Sequence, residues 1–194
     1  SISGETIDYG PCAFLNTYDP KTVFSSIDHY GRYAFENQHK IAYWNLSVFA
    51  GTILQFIDSD ENKAVDLAQN ILDQFPAQYT NKWYKMMYNK LGIINPKDED
   101  KVLISDLLKL MELKKADYTN TFAALTMNSY SKNSLFTSSE FESWKKKWKE
   151  RVKNNENSLS IMKESNPIYI PRNHLVESAL KSAINGNKEE FDKL

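Results

Sequence analysis

From residue 38 onward the apolar side chains return at steps of three and four, and that spacing restricts the chain to a mainly α fold. Ala42, Leu46, Phe49, Ile53 and Phe56 fall on one face of a helix expected over Gln38 to Ile57, weakened slightly by Gly51. Val65, Ala68, Leu72 and Phe75 repeat the pattern up to Pro76, and Trp83, Met87 and Leu91 mark a further helix that Gly92 stops. After Asn95-Pro96, the acidic residues Asp98, Glu99 and Asp100 suit the positive end of a helix carrying Leu103, Leu107 and Leu110, and Lys114-Lys115 suits its far end. Asp117 to Met127 reads as a short helix. Ser138 or Ser139 caps the next, with Phe141, Trp144, Trp148 and Val152 on one side and a lysine-rich remainder. Pro167 and Pro171 bracket an extended piece before the stripe Leu175, Ala179, Ala183, which Gly186 ends, and Lys188 to Leu194 begins one more helix. No alternation of apolar and polar residues is long enough to demand a sheet, and no internal repeat is found. By contrast Gly4, Gly10-Pro11, Asp19-Pro20 and Gly31 break up residues 1 to about 33, because proline removes a donor and glycine relaxes φ. An irregular loop with short extended segments is expected there.

With 194 residues the chain can bury roughly 70% of its unfolded surface, so its core needs no disulfide or metal staple. Lys and Arg number 24 against 25 Asp and Glu, leaving a net charge of -1 and no field to draw in nucleic acid or an anionic membrane. Cys12 stands alone, which suits a reducing cytosol and a cytoplasmic location. Apolar runs are short, and Ser1 to Gly10 lack the charged and apolar regions of a signal peptide, so neither a membrane span nor a secretory leader is expected. The sequence starts at Ser and reaches a turn, Thr6-Ile7-Asp8-Tyr9-Gly10-Pro11, within ten residues, as a sequence entered midway would. Its Lys, Asn and Ile usage points to an A+T-rich bacterial genome.

Most chemical constellations dissolve on inspection. Asp58-x-Asp60-x-Asn62 resembles the start of an EF-hand loop, but Lys63 stands where Gly is needed and Gln69 where the bidentate Glu is needed. His29, His39 and His174 are far apart and lack metal-ligand spacing. Trp144 and Trp148 among lysines could form a stacking platform for nucleic acid, yet at a spacing of four an amphipathic helix explains them. No Gly-rich phosphate loop, nucleophile elbow or zinc-protease pair occurs. Asp8 is the exception. An apolar residue followed by Asp-Tyr-Gly has the form of the kinase turn whose carboxylate holds magnesium against nucleotide phosphates, although the same triplet without context is a plain turn.

The run from Ile7 to Leu15, Asp-Tyr-Gly-Pro-Cys-Ala-Phe within it, closely resembles the segment after the catalytic loop in the selenoprotein O (SelO/YdiU-type) family. Further blocks match in the same order: Asp28-His29-Tyr30-Gly31-Arg32-Tyr33-Ala34-Phe35 with Asn37-Gln38, then Trp44-Asn45-Leu46, Asp117 to Phe122, and Asn166 to His174. The resemblance implies a protein kinase-like fold, of which this is the helical C-terminal part, and transfer of AMP from ATP to Ser, Thr or Tyr hydroxyls of protein substrates. It also implies that residues 1–37 hold a metal-binding turn and an activation-segment-like loop, with a helical region over 38–194. Asp8 would then bind Mg (or Mn) and contact ATP, the only site residue carried over.

The family's Gly-rich loop, its ATP-binding Lys and Glu, its phosphate-contacting arginines, its catalytic Asp and the neighbouring metal-binding Asn precede the matched segment and are not among these residues. The fragment alone is therefore expected to be inactive, its partner being the missing N-terminal half of the same chain. Departures are visible too. Tyr30 stands where Gln is common, Phe24-Ser25-Ser26-Ile27 occupies a stretch that often carries Cys, and the Cys or selenocysteine near the end of some members is absent, which puts a redox switch in doubt. Asp28, His29 and Arg32 either order this loop or meet the protein substrate. Arg172-Asn173-His174 reads as an anchor in which Asn caps a helix and Arg pairs with buried carboxylates. The competing possibility is a helical interaction or scaffold module without nucleotide chemistry.

Overall fold

The periodic segments become helices where their caps dictate. The structure, a computed structural model, describes residues 14–194. Among them are α1 (Gln38–Ile57), α2 (Glu61–Leu72), α3 (Phe75–Lys90), α4 (Asp98–Leu113), α5 (Tyr118–Met127), α6 (Ser139–Val152), α7 (Ser158–Ser165), α8 (Asn173–Ile184) and α9 (Glu189–Lys193). The mainly α expectation holds. Among the described residues the only β pairing is an isolated antiparallel bridge between Thr17 and Asp117.

Three helices begin on side-chain caps. Asp60 accepts the amides of Asn62 and Lys63 at the start of α2, Asp117 accepts that of Asn120 at α5, and Ser138 accepts that of Phe141 at α6. Each cap satisfies a donor the helix cannot, a contribution of about 1 kcal/mol. Pro76 lies in the first turn of α3, where its missing N–H costs nothing, so Phe75 opens this helix instead of closing the one before.

The core is built by α3 to α7. Met87, Leu91, Ile104, Leu107, Met111 and Phe141 are fully buried there. Trp144 and Trp148 stack at 5.8 Å, and their indole N–H groups donate to the carbonyls of Leu103 and Leu91, both at 2.8 Å. Both rings are thereby spent on the interior, as the amphipathic pattern required, and neither is free to stack on a base. Asp100 is also buried. Its carboxylate accepts the Lys97 amide at the head of α4 and is gripped by Arg151 of α6, with Nε to Oδ1 at 2.8 Å and Nη2 to Oδ2 at 3.0 Å.

Gly92 joins two elements that are far apart in sequence. Its φ of +65° lets α3 end in a left-handed turn, and a Cβ there would sit 2.9 Å from the Ser158 carbonyl oxygen. The Ser158 hydroxyl donates to the Gly92 carbonyl at 2.6 Å, seating the first residue of α7 on the end of α3. Helix α7 has no counterpart in the sequence expectations. It is eight residues long and only Ser158 and Met162 are buried, so its stripe is too short to register as a period.

The remaining helices are lightly covered. On α8, Ala179 is buried, but Leu175, at the head of the expected stripe, is half exposed. Helix α1 contains no buried residue. No helix of the described residues is long and apolar enough to cross a membrane.

Candidate functional site

Asp8 lies outside the described residues, so what the structure supplies is the clamp on the chain just after it. Asn16, eight positions downstream, is held from two directions: its carbonyl accepts the Tyr118 amide at 2.8 Å and its side-chain oxygen accepts Nη1 of Arg172 at 2.7 Å. On either side of it, the Phe14 amide donates to the side chain of Asn173 at 3.2 Å, and the Tyr18 amide donates to the Ala116 carbonyl at 2.7 Å. The Tyr18 ring stacks on Tyr118 with centroids 5.7 Å apart. Burial pushes the hydroxyl pKa values of both tyrosines up.

Arg172 is the hub of this clamp. Its guanidinium reaches Asp117 through Nη1 to Oδ2 at 2.6 Å and Nη2 to Oδ1 at 3.3 Å, and Asn120 at 3.1 Å. Asp117 thus caps α5 and faces the arginine at the same time. The expected anchor is present, and its carboxylate partner is half-buried. The expected cap is not: Arg172, not Asn173, occupies the position before α8, and the Asn173 side chain is engaged with Phe14 through both its oxygen and its nitrogen. Arg172→Ala is expected to lower stability by about 2–3 kcal/mol, since it strips charge-assisted bonds from Asp117 and Asn16 together. Urea unfolding of the full-length protein measures it. A change below about 0.5 kcal/mol would remove Arg172 from the clamp.

The last matched block also carries a polar residue that composition and spacing did not single out. Asn166 is buried, and its Nδ2 donates to the Lys90 carbonyl at 2.8 Å and the Thr126 hydroxyl at 2.9 Å. Its Oδ1 accepts from the Lys90 ammonium at 3.3 Å, which also reaches the Ser165 carbonyl and sits 5.0 Å above the Phe122 ring. Burial pushes the Lys90 ammonium pKa down. Asn166 beside Pro167 was the available signal: an amide at a helix end that must satisfy orphan carbonyls.

The loop before α1 is a self-capped turn. Asp28 accepts the amides of Arg32 and Tyr33, both at 2.8 Å, and Gly31 has a φ of +66°. Asn37 donates to the Gly31 carbonyl at 2.8 Å, and Gln38 to the Tyr33 carbonyl at 2.7 Å. The Arg32 guanidinium lies 4.5 Å above the Trp44 ring, which ties the second matched block to the third. Asp28 and Arg32 therefore pin the loop, but at the surface: His29 is exposed and Tyr30 is 98% exposed.

The remaining candidates stay separate. His39 stacks on Tyr79 with centroids 5.2 Å apart. Asp58 pairs with Lys63, which together with the Asp60 amide holds its carboxyl below the usual carboxylate range, while Asp60 caps α2. Among the described residues no group of three His, Cys, Asp or Glu is placed to hold a metal ion.

The comparisons with known proteins cover the whole chain. The family model described as protein adenylyltransferase SelO matches residues 1–194. The protein nucleotidyltransferase YdiU of Pelagibacter ubique (strain HTCC1062) is 51% identical over 100% of this chain and 41% of its own length. The protein of the same description from Clostridium botulinum (strain Alaska E43 / Type E3) is 53% identical over 95% of this chain and 38% of its own, and that of Bacillus thuringiensis subsp. konkukian (strain 97-27) is 47% identical over 100% and 41%. The chain thus spans about two fifths of the length of the curated relatives it matches.

Proposed function

This chain belongs to the protein adenylyltransferase SelO family, and from that premise we propose that it is the helical C-terminal part of a cytoplasmic enzyme that moves AMP from ATP to protein hydroxyl groups. The observation that carries the proposal is the clamp. Asp117 and Arg172, from two matched blocks, converge on Asn16, which lies just beyond the first block and eight positions after Asp8. A carboxylate that serves as a ligand needs a backbone held in register, and charge-assisted bonds from a bidentate arginine hold it better than a solvated loop would.

In this reading a hydroxyl oxygen of the protein substrate attacks the α-phosphorus of ATP, the bond to the bridging oxygen breaks, and pyrophosphate leaves. Asp8 contributes one carboxylate oxygen, a donor suited to Mg or Mn. A divalent ion bound there supplies neutralisation of phosphate charge. The other groups that grip the triphosphate belong to the parent chain outside these residues. Asp28 and Arg32 shape the turn that carries His29 and Tyr30.

The position of the isotope tests the reaction class. With the full-length protein, magnesium and a mixed protein substrate, label in the α-phosphate of ATP is expected to enter protein and label in the γ-phosphate is not. Incorporation of the γ label would make it a phosphoryl transferase, and incorporation of neither would leave a non-catalytic helical module.

The 194-residue chain alone is expected to bind ATP with a dissociation constant above about 1 mM, a binding free energy weaker than about 4 kcal/mol. One carboxylate without the phosphate-binding lysine and the metal-binding asparagine leaves most of the triphosphate charge uncompensated. Calorimetry giving micromolar affinity for this chain would overturn that assignment of labour.

A further inference from the structure

The connection from α3 to α4 has its carbonyls tied down almost one after another. Trp148 donates to the carbonyl of Leu91, Ser158 to that of Gly92, and Arg151 to those of Ile94 and Asn95. Asn95 has a φ of +51°, a left-handed conformation that asparagine tolerates better than most residues. A connection fastened at so many points is a rigid wall, and small-molecule sites are built on walls that are in place before the ligand arrives.

Between this wall, α3 and Ile161 of α7 lies a cleft of about 530 Å³, within the range of small-molecule sites. Its inner side is largely apolar. Tyr88 and Ile93 are 8% and 3% exposed, and the Tyr84 ring lies 5.9 Å from that of Tyr88. The Tyr88 hydroxyl has no hydrogen-bond partner among the described residues, although every fully buried side-chain nitrogen or oxygen among them has one, so this hydroxyl opens into the cleft that Tyr88 lines. A side chain nine-tenths buried with its one polar atom unpaired marks a place for a polar group of a ligand. The rim is cationic. Lys85 and Lys101 line the cleft and no Asp or Glu does. Lys85 and Asn89 also border an adjoining hollow of about 340 Å³ together with Lys82, again without a carboxylate. Lys101 pairs with Asp98 at 2.8 Å, but Lys82 and Lys85, one turn apart on α3, enter no ion pair among the described residues. Asn81 and Asn89, four positions before and after Lys85, put two carboxamides on the same face.

We propose that this cleft binds a small anion carrying a planar ring, of the purine nucleoside monophosphate class. The ring lies against Tyr88 and Ile93, the carboxamides of Asn81 and Asn89 offer the donor and acceptor pair that reads an adenine edge, and the phosphate sits over the hollow beside Lys82 and Lys85. A cationic ligand would meet lysines and no carboxylate, and a wholly apolar one would strand the Tyr88 hydroxyl and both carboxamides. No residue of the Arg172 clamp lines the cleft, and the inference needs neither Asp8 nor AMP transfer, so the isotope experiment and the one below fail separately.

The test is photolabelling of the full-length protein with an azido-substituted AMP, the labelled peptides being mapped by mass spectrometry so that this cleft is read alone. Label is expected in peptides covering 80–101, half-saturating below about 1 mM. Unmodified AMP is expected to compete at least about tenfold better than adenosine or inorganic phosphate, because each of those carries only part of the recognised chemistry. Lys85→Glu, at an exposed position, is expected to weaken labelling of these peptides at least about tenfold, and Tyr88→Phe, which removes only the hydroxyl, about threefold. No label in 80–101 up to about 1 mM would mean that the complete protein closes or fills the cleft, and the proposal is wrong. Adenosine or phosphate competing as well as AMP, or labelling that survives Lys85→Glu, would equally overturn it by removing the anion, the ring or the lysine from recognition.

Discussion

Asp8→Asn in the full-length protein is expected to lower the rate of AMP transfer by about two to three orders of magnitude. A carboxylate ligand that steadies a divalent ion on ATP shares in several kcal/mol of charge stabilisation, and each 1.36 kcal/mol lost is a factor of about ten. Asparagine keeps the size of the side chain and its capacity to accept a hydrogen bond, so a turn tied by residue 8 would survive. The distinguishing measurement is the magnesium dependence. If Asp8 holds the ion, the variant needs a markedly higher magnesium concentration for half-maximal rate while its unfolding temperature stays close to that of the parent protein. If residue 8 only ties its own bend, neither the unfolding temperature nor the magnesium dependence moves. An unchanged rate would exclude Asp8 from the chemistry.

Arg151→Met carries the largest expected loss of stability, about 3–5 kcal/mol. Asp100 is only 3% exposed, and Arg151 is the side chain that neutralises it. The same guanidinium donates to the carbonyls of Ile94 at 3.1 Å and Asn95 at 2.9 Å, where the chain turns from α3 into α4. Methionine fills much of the volume but leaves a buried carboxylate facing no positive charge and two carbonyls without their donor. Adding Asp100→Asn removes the stranded charge while keeping an acceptor for the Lys97 amide, so the double variant is expected to regain part of the loss. Urea titration followed by tryptophan fluorescence is a direct readout, because Trp148 of the same helix packs against the Leu91 carbonyl. A loss below about 1 kcal/mol for the single variant would show that the pair is solvated in practice.

Both predictions turn on pairings whose legibility in the sequence differs. The bounds of α1, the cap of α6 at Ser138 and the stop at Gly92 follow from neighbours within four residues, and the structure agrees with each. The burial of Trp144 and Trp148 follows from their spacing. Asp100 was legible only as an acidic residue near the positive end of a helix, and Arg151 only as one of several cations around α6. Their bond spans 51 positions and exists because α4 and α6 pack side by side. Arg172 was legible as an anchor for a carboxylate, but nothing in its neighbourhood named Asp117 or Asn16 as partners. Asn173 looked like a cap because an amide before an apolar stripe usually is one, and tertiary proximity to Phe14 claimed it instead.

The sequence by itself determined where the chain is helical, which helices carry a core face, and to which family it belongs, because period, caps and long matched blocks are written in consecutive residues. Only the tertiary structure decided that Arg172 fastens the stretch after Asp8, that Arg151 neutralises Asp100, and that α1 is left uncovered by the described residues. Those outcomes depend on which surfaces meet in space, and a hydrogen bond or a buried contact between residues fifty to a hundred and sixty positions apart leaves no mark on the local order of either.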